Sequence, residues 1–359
     1  MLGYAIKRLL SAIPVLLGIL LVTFSLARLI PGDPCKAMLG DKVSDATCAE
    51  FVRKFALDQP IPVQFFYYLR DILQGNFGNS IRFSRPVGQI IIERLPMTME
   101  LAIFALCVAT ICGIAIGVFA ARRHNTAADV GTMAIANVGI AMPVFWLGLM
   151  MAYVFGVMLK GTPFWLPPSG RLTAGLVSVP FYEAWGWEMT KGTFGAQFAE
   201  FISNFYIFNA LITFNWEVFS DAVRHMILPG LAVATIPMAV IARMTRSSLL
   251  DVLGRDYVRT ARAKGVPDNK VVRRHALGNA MLPVVTILGL QMGALLSGAV
   301  LTETVFGLAG VGRMLVEAIF ARDYPIVQGF TVLIATIYVV VNLIVDLSYT
   351  YLDPRVRPQ

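Results

Sequence analysis

Apolar residues in this chain come in long blocks rather than in alternation with polar ones. Six blocks stand out, at residues 9–30, 98–120, 131–159, 226–242, 281–301 and 327–352. An α-helix needs ~20 apolar residues to cross the ~30 Å hydrocarbon core, so each block predicts a spanning helix. The fourth is the shortest and holds Pro229 and Pro237. Neighbouring helices in a bundle can satisfy the backbone groups that proline frees, so the block stays in the set. The third carries Pro143, which predicts a kink. The first follows Lys7-Arg8 and contains Ser25-Leu26-Ala27, a cleavage-like triplet. A signal-peptide core is roughly 7–15 residues long and this block is longer, so it is expected to stay as a span.

Composition agrees with the pattern. Of 359 residues, 57% are hydrophobic and 14% charged, against roughly 25% charged in soluble domains. The formal net charge is +8, which raises nucleic acid as a partner until the cations are sorted by position. With the N-terminus placed inside, the segments 1–8, 121–130, 243–275 and 353–359 hold 15 Lys and Arg against 5 acids. The outer segments 31–97, 160–225 and 302–326 hold 14 against 15. The cation excess therefore lies on one side, which is the positive-inside pattern. It predicts cytoplasmic termini and a lipid bilayer, not nucleic acid, as the charged partner. The expected organisation is an N-terminus and first span (1–30), a first outer loop (31–97), a core of five spans (98–352) and a cytoplasmic tail (353–359). Within the core lie a second outer loop (160–225) and a long cytoplasmic loop (243–280).

The outer loops carry two expectations. Cys35 and Cys48 share the first loop, where an oxidising compartment permits a disulfide; two free thiols are the alternative. Cys107 and Cys112 fall inside the second span and read as packing residues. Phe51, Phe55, Phe65, Tyr68, Leu69 and Ile72 suit short amphipathic helices at the membrane face. The second loop is rich in glycine and aromatic residues through Trp187, Phe194, Phe205 and Trp216. They read either as interfacial anchors or as a docking surface for an extracytoplasmic partner.

Catalytic patterns are missing. The histidines are His124, His225 and His275, with no HExxH, so no zinc-protease helix and no metal site is expected. None of the eight lysines follows a glycine, so there is no P-loop. Arg28 and Glu100 sit near span ends and are expected to snorkel or face water. Asp346, late in the sixth span, reads as a structural ion pair or as a functional acid. Asn137, Gln291, Ser297 and Asn342 are mild polar residues within spans. Met142 and Trp146 flank the Pro143 break. These six are candidates for a translocation path, with helix–helix hydrogen bonding or packing as the alternative.

The densest chemistry is cytoplasmic. Residues 256–283 read DYVRTARAKGVPDNKVVRRHALGNAMLP. Leu249, Leu250, Leu253, Tyr257 and Ala261 fall on one helical stripe, with Asp256, Arg259 and Arg262 off it. This predicts an amphipathic helix up to Lys264, stopped by Gly265. Pro267 and Asp268 suit the start of a second helix, continued by Val271, Val272, His275 and Ala276. The result is a helix–Gly–helix knuckle, cationic at its rim, of the kind that fits a cleft on a soluble partner.

The stretch resembles the EAA coupling loop of ABC-importer permeases, in the DYxRTARAKG form of the dipeptide/oligopeptide/nickel group. IPGDP at 30–34, LDQP at 57–60, ERLPMTMEL at 93–101, PVFWLG at 143–148, HMILPG at 225–230, NAMLPVVT at 279–286, LTETVF at 301–306 and RDYPIVQG at 322–329 match in order. Arg259 stands where the general family motif has an acid, and Ala309 replaces a proline in the FxxPGxGR stretch at 306–313. Segment 172–224 is long and idiosyncratic. The resemblance implies an all-α, six-helix type I importer fold and a translocation subunit rather than an enzyme. It implies transport of dipeptides or short peptides, with nickel chelates, glutathione or oligopeptides as alternatives. No cofactor is expected on this chain; ATP and Mg would bind partner subunits. The implied partners are a second permease subunit, two ATPase subunits and an extracytoplasmic substrate-binding protein. ATPase coupling would fall to Asp256, Tyr257, Thr260, Ala261, Arg262, Ala263 and Gly265. A membrane-embedded enzyme or an assembly scaffold is the rival class.

Overall fold

A computed structural model describes residues 2–29, 43–54, 58–190 and 192–352. Helices dominate it. They are α1 (Leu2–Leu29), α2 (Asp45–Lys54), α3 (Ile61–Leu73), α4 (Val87–Arg122), α5 (Ala127–Ala141) and α6 (Val144–Met151), which runs on as a π-helical stretch, Ala152–Met158. Three short helices follow outside the membrane blocks: α7 (Phe181–Ala184), α8 (Phe194–Ser203) and α9 (Tyr206–Ile212). The long α10 (Trp216–Leu253) leads to α11 (Asp256–Ala263) and α12 (Asp268–Lys270). A second π-helical stretch, Val271–Ala276, joins α12 to α13 (Leu277–Gly298). The chain closes with α14 (Val300–Val305), α15 (Val311–Phe320) and α16 (Tyr324–Leu352).

Among the described residues four helical runs are long and apolar enough to cross a membrane: α4, α10, 268–296 and 324–345. A fifth arises if α5 and α6 form one span, broken by 99°. The break falls at Met142-Pro143, where the sequence predicts a kink. Pro143 has no amide hydrogen and begins a new helix as the N-cap of α6. The N-terminal helix adds a shorter apolar stretch, Leu10–Ser25. Several helices overrun their apolar blocks. Of these, α4 starts at Val87 and α10 at Trp216, inside segments expected to be loops. These extra turns carry charge, which a hydropathy pattern excludes, but they pack on protein.

The block judged weakest becomes the most buried span: 61% of the apolar window of α10 is inside the protein. The reason is close backbone approach. A Cβ on Gly113 of α4 would sit 2.8 Å from the Met238 carbonyl oxygen of α10. One on Gly117 would sit 2.5 Å from that of Ala242. With Ala105 and Ala109, also fully buried, they form a small-residue stripe at every fourth position. Helices in lipid gain little from hydrophobic exclusion, so such close van der Waals contact is what binds them. The main core gathers around this seam, with Met97, Leu101, Leu228, Ile241, Phe306 and Leu308. A second cluster, including Val87, Ile90, Val311, Ile326 and Phe330, ties the start of α4 to α15 and α16.

Candidate functional site

The knuckle forms, with one change from the expected pattern. The stripe from Leu249 to Ala261 is not one helix: α10 stops at Leu253, capped by Gly254, and α11 restarts at Asp256. The restart rotates the buried face. Val258 and Ala261 point inward against Val271, with Val252, Leu253 and Val266 around them. Tyr257, expected on the buried stripe, is exposed, and its hydroxyl accepts from Asn279 Nδ2 at 2.8 Å. The C-terminal stop at Gly265 is as predicted. Its φ is +74°, its N–H donates to the Arg262 carbonyl (2.9 Å), and Val266 N–H reaches back to Ala261 (3.2 Å). Positive φ favours glycine. Arg262 then bridges the turn to Asp268 at 3.1 Å, and Asp256 pairs with Arg259 at 3.5 Å.

Of the residues expected to couple, Asp256, Tyr257, Thr260, Arg262, Ala263 and Gly265 lie on the exposed side of the knuckle. Ala261 does not; it packs beneath. A second small core seats the whole device on the bundle: Ala121 of α4, Leu249 of α10, and Val272, Ala276 and Ala280 on the far side of the turn. Arg122, ending α4, donates to Asn269 Oδ1 at 3.3 Å.

The sequence reading missed a latch beside it. Asp129, on α5, is only 2% exposed. It accepts from Arg246 Nε (2.6 Å) and Nη2 (2.7 Å) of α10 and from the Asn125 N–H (3.1 Å); His124 Nδ1 lies 3.6 Å away. A lone acid in the cation-rich segment 121–130 was the available signal.

At the opposite end, Glu100 neither snorkels nor faces water. It is buried and pairs with Arg171 at 2.9 Å, and it accepts the Ile207 N–H at 2.7 Å. Arg171 also donates to the Asn204 carbonyl and lies over the Tyr206 ring. Asp221 accepts from Thr173 through both backbone and hydroxyl, at 2.7 Å each. Segment 160–215 is therefore a pinned cap on α4 and α10. Trp187 and Phe194 are exposed on it, and so is Trp216 at the start of α10.

A third polar node holds α15. Thr98 Oγ1 donates to Glu303 Oε1 (2.6 Å) and accepts from Val311 N–H (2.9 Å). Glu303 Oε2 accepts from Arg313 N–H (3.0 Å). Two side chains from other elements thus cap the N-terminus of α15. Gly310 is required there, because a Cβ would strike the Glu303 carboxylate. Glu303 lies between the fifth and sixth spans, and burial pushes its carboxyl above the ordinary range despite these donors.

The expected path residues are dispersed over several helices. Asn137 and Trp146 are exposed on the two arms of the broken span, and Met142 is half-buried at the bend. Gln291 and Asn342 are half-buried on α13 and α16, with Asn342 beside Gly293. The side chains of Ser297, Arg28 and Asp346 lie outside the described residues. Cys107 and Cys112 are free and exposed on α4 instead of packed. Cys48 is disulfide-bonded; Cys35 lies outside the described residues. Among the described residues, no cluster of three His, Cys, Asp or Glu side chains is placed to hold a metal.

The family described as "binding-protein-dependent transport system inner membrane component" matches residues 113–358, and its N-terminal companion matches 1–102. The chain belongs to this family. The permease is similar throughout to curated relatives. One is the "Dipeptide transport system permease protein DppB" of Alkalihalophilus pseudofirmus, 42% identical over 99% of this chain and 100% of the relative. The "Di/tripeptide transport system permease protein DppB" of Pseudomonas aeruginosa is 41% identical over the whole of both chains. The dipeptide permease DppB of Escherichia coli K12 is 40% identical over 99% of each. The chain is thus a multi-pass permease subunit of an ABC importer, a translocation subunit and not an enzyme. In this family ATP hydrolysis belongs to separate subunits.

Proposed function

We propose that this permease moves dipeptides or short peptides inward across the cytoplasmic membrane, and that the exposed face of 256–265 is where a separate ATPase engages it. The relatives' names support the substrate. The carrying observation for the coupling role is the knuckle itself: its inner face is seated on α4, α10 and α13, while Asp256, Tyr257, Thr260, Arg262 and Ala263 have no neighbour to bury them. A force applied there reaches the spans through the packed residues Val258, Ala261, Val271 and Val272. The cation bias of the short loops supports a cytoplasmic knuckle and cytoplasmic termini. The working assembly is a heterodimer with a second permease subunit, two ATPase subunits that bind ATP and Mg, and an extracytoplasmic binding protein. Asn137, Met142, Trp146, Gln291, Ser297 and Asn342 remain the candidate path surfaces, to be completed by the second permease. Cys35 is proposed as the partner of Cys48.

The test is Gly265→Asp. No atom lies within 4 Å of a Cβ at this position, so the change adds charge and local backbone strain without a clash. Membrane insertion and yield should match wild type. Peptide uptake and peptide-stimulated ATPase activity should both be lost, with basal ATPase retained. Wild-type uptake in this variant would refute the coupling assignment.

A further inference from the structure

A groove of about 660 Å³ runs between α1 and α16, closed at one end by the α15–α16 turn. Its walls are apolar and come from Val15, Ile19 and Val22 of α1 and Val327 of α16, among others. Both walls belong to apolar membrane blocks, so what enters the groove enters from the bilayer. Its volume is that of an ordinary ligand pocket, which runs ~300–1,000 Å³. Gly18 lines it and meets nothing: a Cβ there would have no atom within 4 Å. This glycine is therefore not a close-packing residue like Gly113 or Gly117. It widens an opening.

Thr23 and Thr331 line the slot with hydroxyls bonded to carbonyls of their own helices, and Tyr324 lines it too. Two further polar groups bear on what the slot holds. Arg322 stands at the closed end, exposed, with no ion pair or side-chain hydrogen bond among the described residues. Its backbone is fixed. It is a non-glycine residue at φ 55°, held by the Arg322 N–H bond to the Ile319 carbonyl (3.2 Å). The next residue, Asp323, is anchored by Ser80 Oγ (2.6 Å) and the Arg82 N–H (3.1 Å). The cation is thus aimed over the slot by structure that has no other evident use for it. The second group is the Gln328 side chain, deeper on α16. Its Nε2 is buried and has no hydrogen-bond partner. A buried amide donor without a partner is costly in hydrocarbon surroundings, where water does not reach.

We infer that the groove is a binding site for one membrane glycerophospholipid. An acyl chain lies along Val15, Ile19, Val22 and Val327, the phosphate rests on the Arg322 guanidinium, and a glycerol ester oxygen accepts from the Gln328 amide once that side chain turns its covered Nε2 into the groove. Charge complementarity and the depth order of the two groups select this occupant. A phospholipid presents its anionic phosphate, then its ester acceptors, then hydrocarbon, and the groove presents a cation, then an amide donor, then apolar walls. A helix of a second permease filling the groove would bury Arg322 with no anion supplied from the lipid.

The test uses the full chain in its assembled transporter, extracted gently and then washed with detergent. Native mass spectrometry should find one phospholipid retained per permease. Retention should fall about fivefold in Arg322→Gln, the factor that one interfacial cation contributes at an anionic membrane surface. It should also fall in Gly18→Leu, which fills the slot from the side where nothing stands. Adding phosphatidylglycerol to the stripped transporter should raise the unfolding midpoint of wild type, and of neither variant. Equal retention in all three proteins would overturn the inference. So would an equal rise on adding inorganic phosphate alone. A photo-crosslinker at Val22 should label lipid; labelling the second permease instead would assign the groove to a protein interface and overturn it as well.

Discussion

The Asp129–Arg246 latch can be weighed quantitatively because its two halves differ in access to water. The Asp129 side chain is 2% exposed and the Arg246 side chain 26%. Removing Arg246 as Arg246→Ala strips both guanidinium bonds from a carboxylate that is covered in the folded chain. Only the Asn125 N–H and His124 then remain near it. Breaking a buried pair from that side costs ~3–5 kcal/mol. Asp129→Ala is milder, because the arginine stem can swing its charge toward water. It loses the charged hydrogen bonds, at ~1.5–3 kcal/mol. The double variant should resemble Asp129→Ala more than the sum, leaving a coupling of at least about 1.5 kcal/mol, half the smallest cost of Arg246→Ala. Arg246→Lys should fall between wild type and Arg246→Ala, since an ammonium cannot present the paired Nε and Nη2 donors. The assay is a double-mutant cycle on reversible unfolding in a defined detergent, read by tryptophan fluorescence. If the two single changes add to within about 0.5 kcal/mol, as independent sites do, the latch is not an energetic unit and the reasoning fails. The opposite order, with Asp129→Ala the more damaging, would refute the burial argument even if coupling were found.

Two further outcomes follow from packing and from charge. Gly117→Val should destabilise by at least ~1–3 kcal/mol, the usual cost of overpacking. Its Cβ alone would lie 2.5 Å from the Ala242 carbonyl oxygen and 2.6 Å from Thr245 Cβ, and the larger side chain cannot be seated without parting α4 from α10. A wild-type unfolding midpoint would contradict the seam. Glu303, whose carboxyl is raised by burial, makes stability depend on pH. A group raised in the folded state contributes fully below its unfolded value and loses that contribution as pH rises through the folded value. The wild-type midpoint should therefore fall as pH climbs above the ordinary carboxylate range. Glu303→Gln, which still accepts from Arg313 N–H, should flatten that fall. An unchanged slope in thermal scans across this range would reject the assignment.

Legibility in the sequence followed the physics of each signal. Blocks of apolar residues announced the spans, and a glycine between two cationic segments announced the turn at Gly265, whose φ of +74° confirms the backbone reason. Pro143 announced the break, though not its 99° size. Helix lengths were under-read at Val87 and Trp216 because hydropathy measures exposure to lipid, and those turns are covered by protein. The fourth block looked weak because it is short and holds Pro229 and Pro237, yet both prolines lie buried in α10, where neighbouring helices cover them. The face of α11 was misassigned because a stripe was extended across Gly254, where the helix restarts. Asp129 stood out as a lone acid among cations, but which residues pair in the three polar nodes was illegible in principle. Asp129–Arg246, Glu100–Arg171 and Thr98–Glu303 join positions separated by 71 to 205 residues, and no local pattern carries that information.

Those nodes sit where the fold most needs them. The α10 helix runs unbroken for 38 residues, about 57 Å at 1.5 Å per residue. Its seam with α4 is backbone against small side chain, so the pair resists shear. The segments around it are the compliant ones: a 99° elbow at Pro143, and π-helical turns at Ala152–Met158 and Val271–Ala276. A push on the knuckle meets α10 through Leu253 and α13 through the second π-helical stretch, so one helix takes the load stiffly and the other through a joint. The latch at Arg246 lies two turns above the knuckle and ties the stiff helix to the first arm of the elbow. Motion of α10 therefore cannot leave α5 behind while the Asp129 pair is closed. This gives the latch a functional reading separable from its stability. In the Asp129→Ala variant the α10–α5 tie is cut while Gly265 and the exposed knuckle face stay intact. Peptide-stimulated ATPase activity should then persist while uptake per ATP drops, whereas Gly265→Asp is expected to abolish both if the knuckle couples as proposed. Identical losses in the two variants would mean that the latch serves only to hold the knuckle in place.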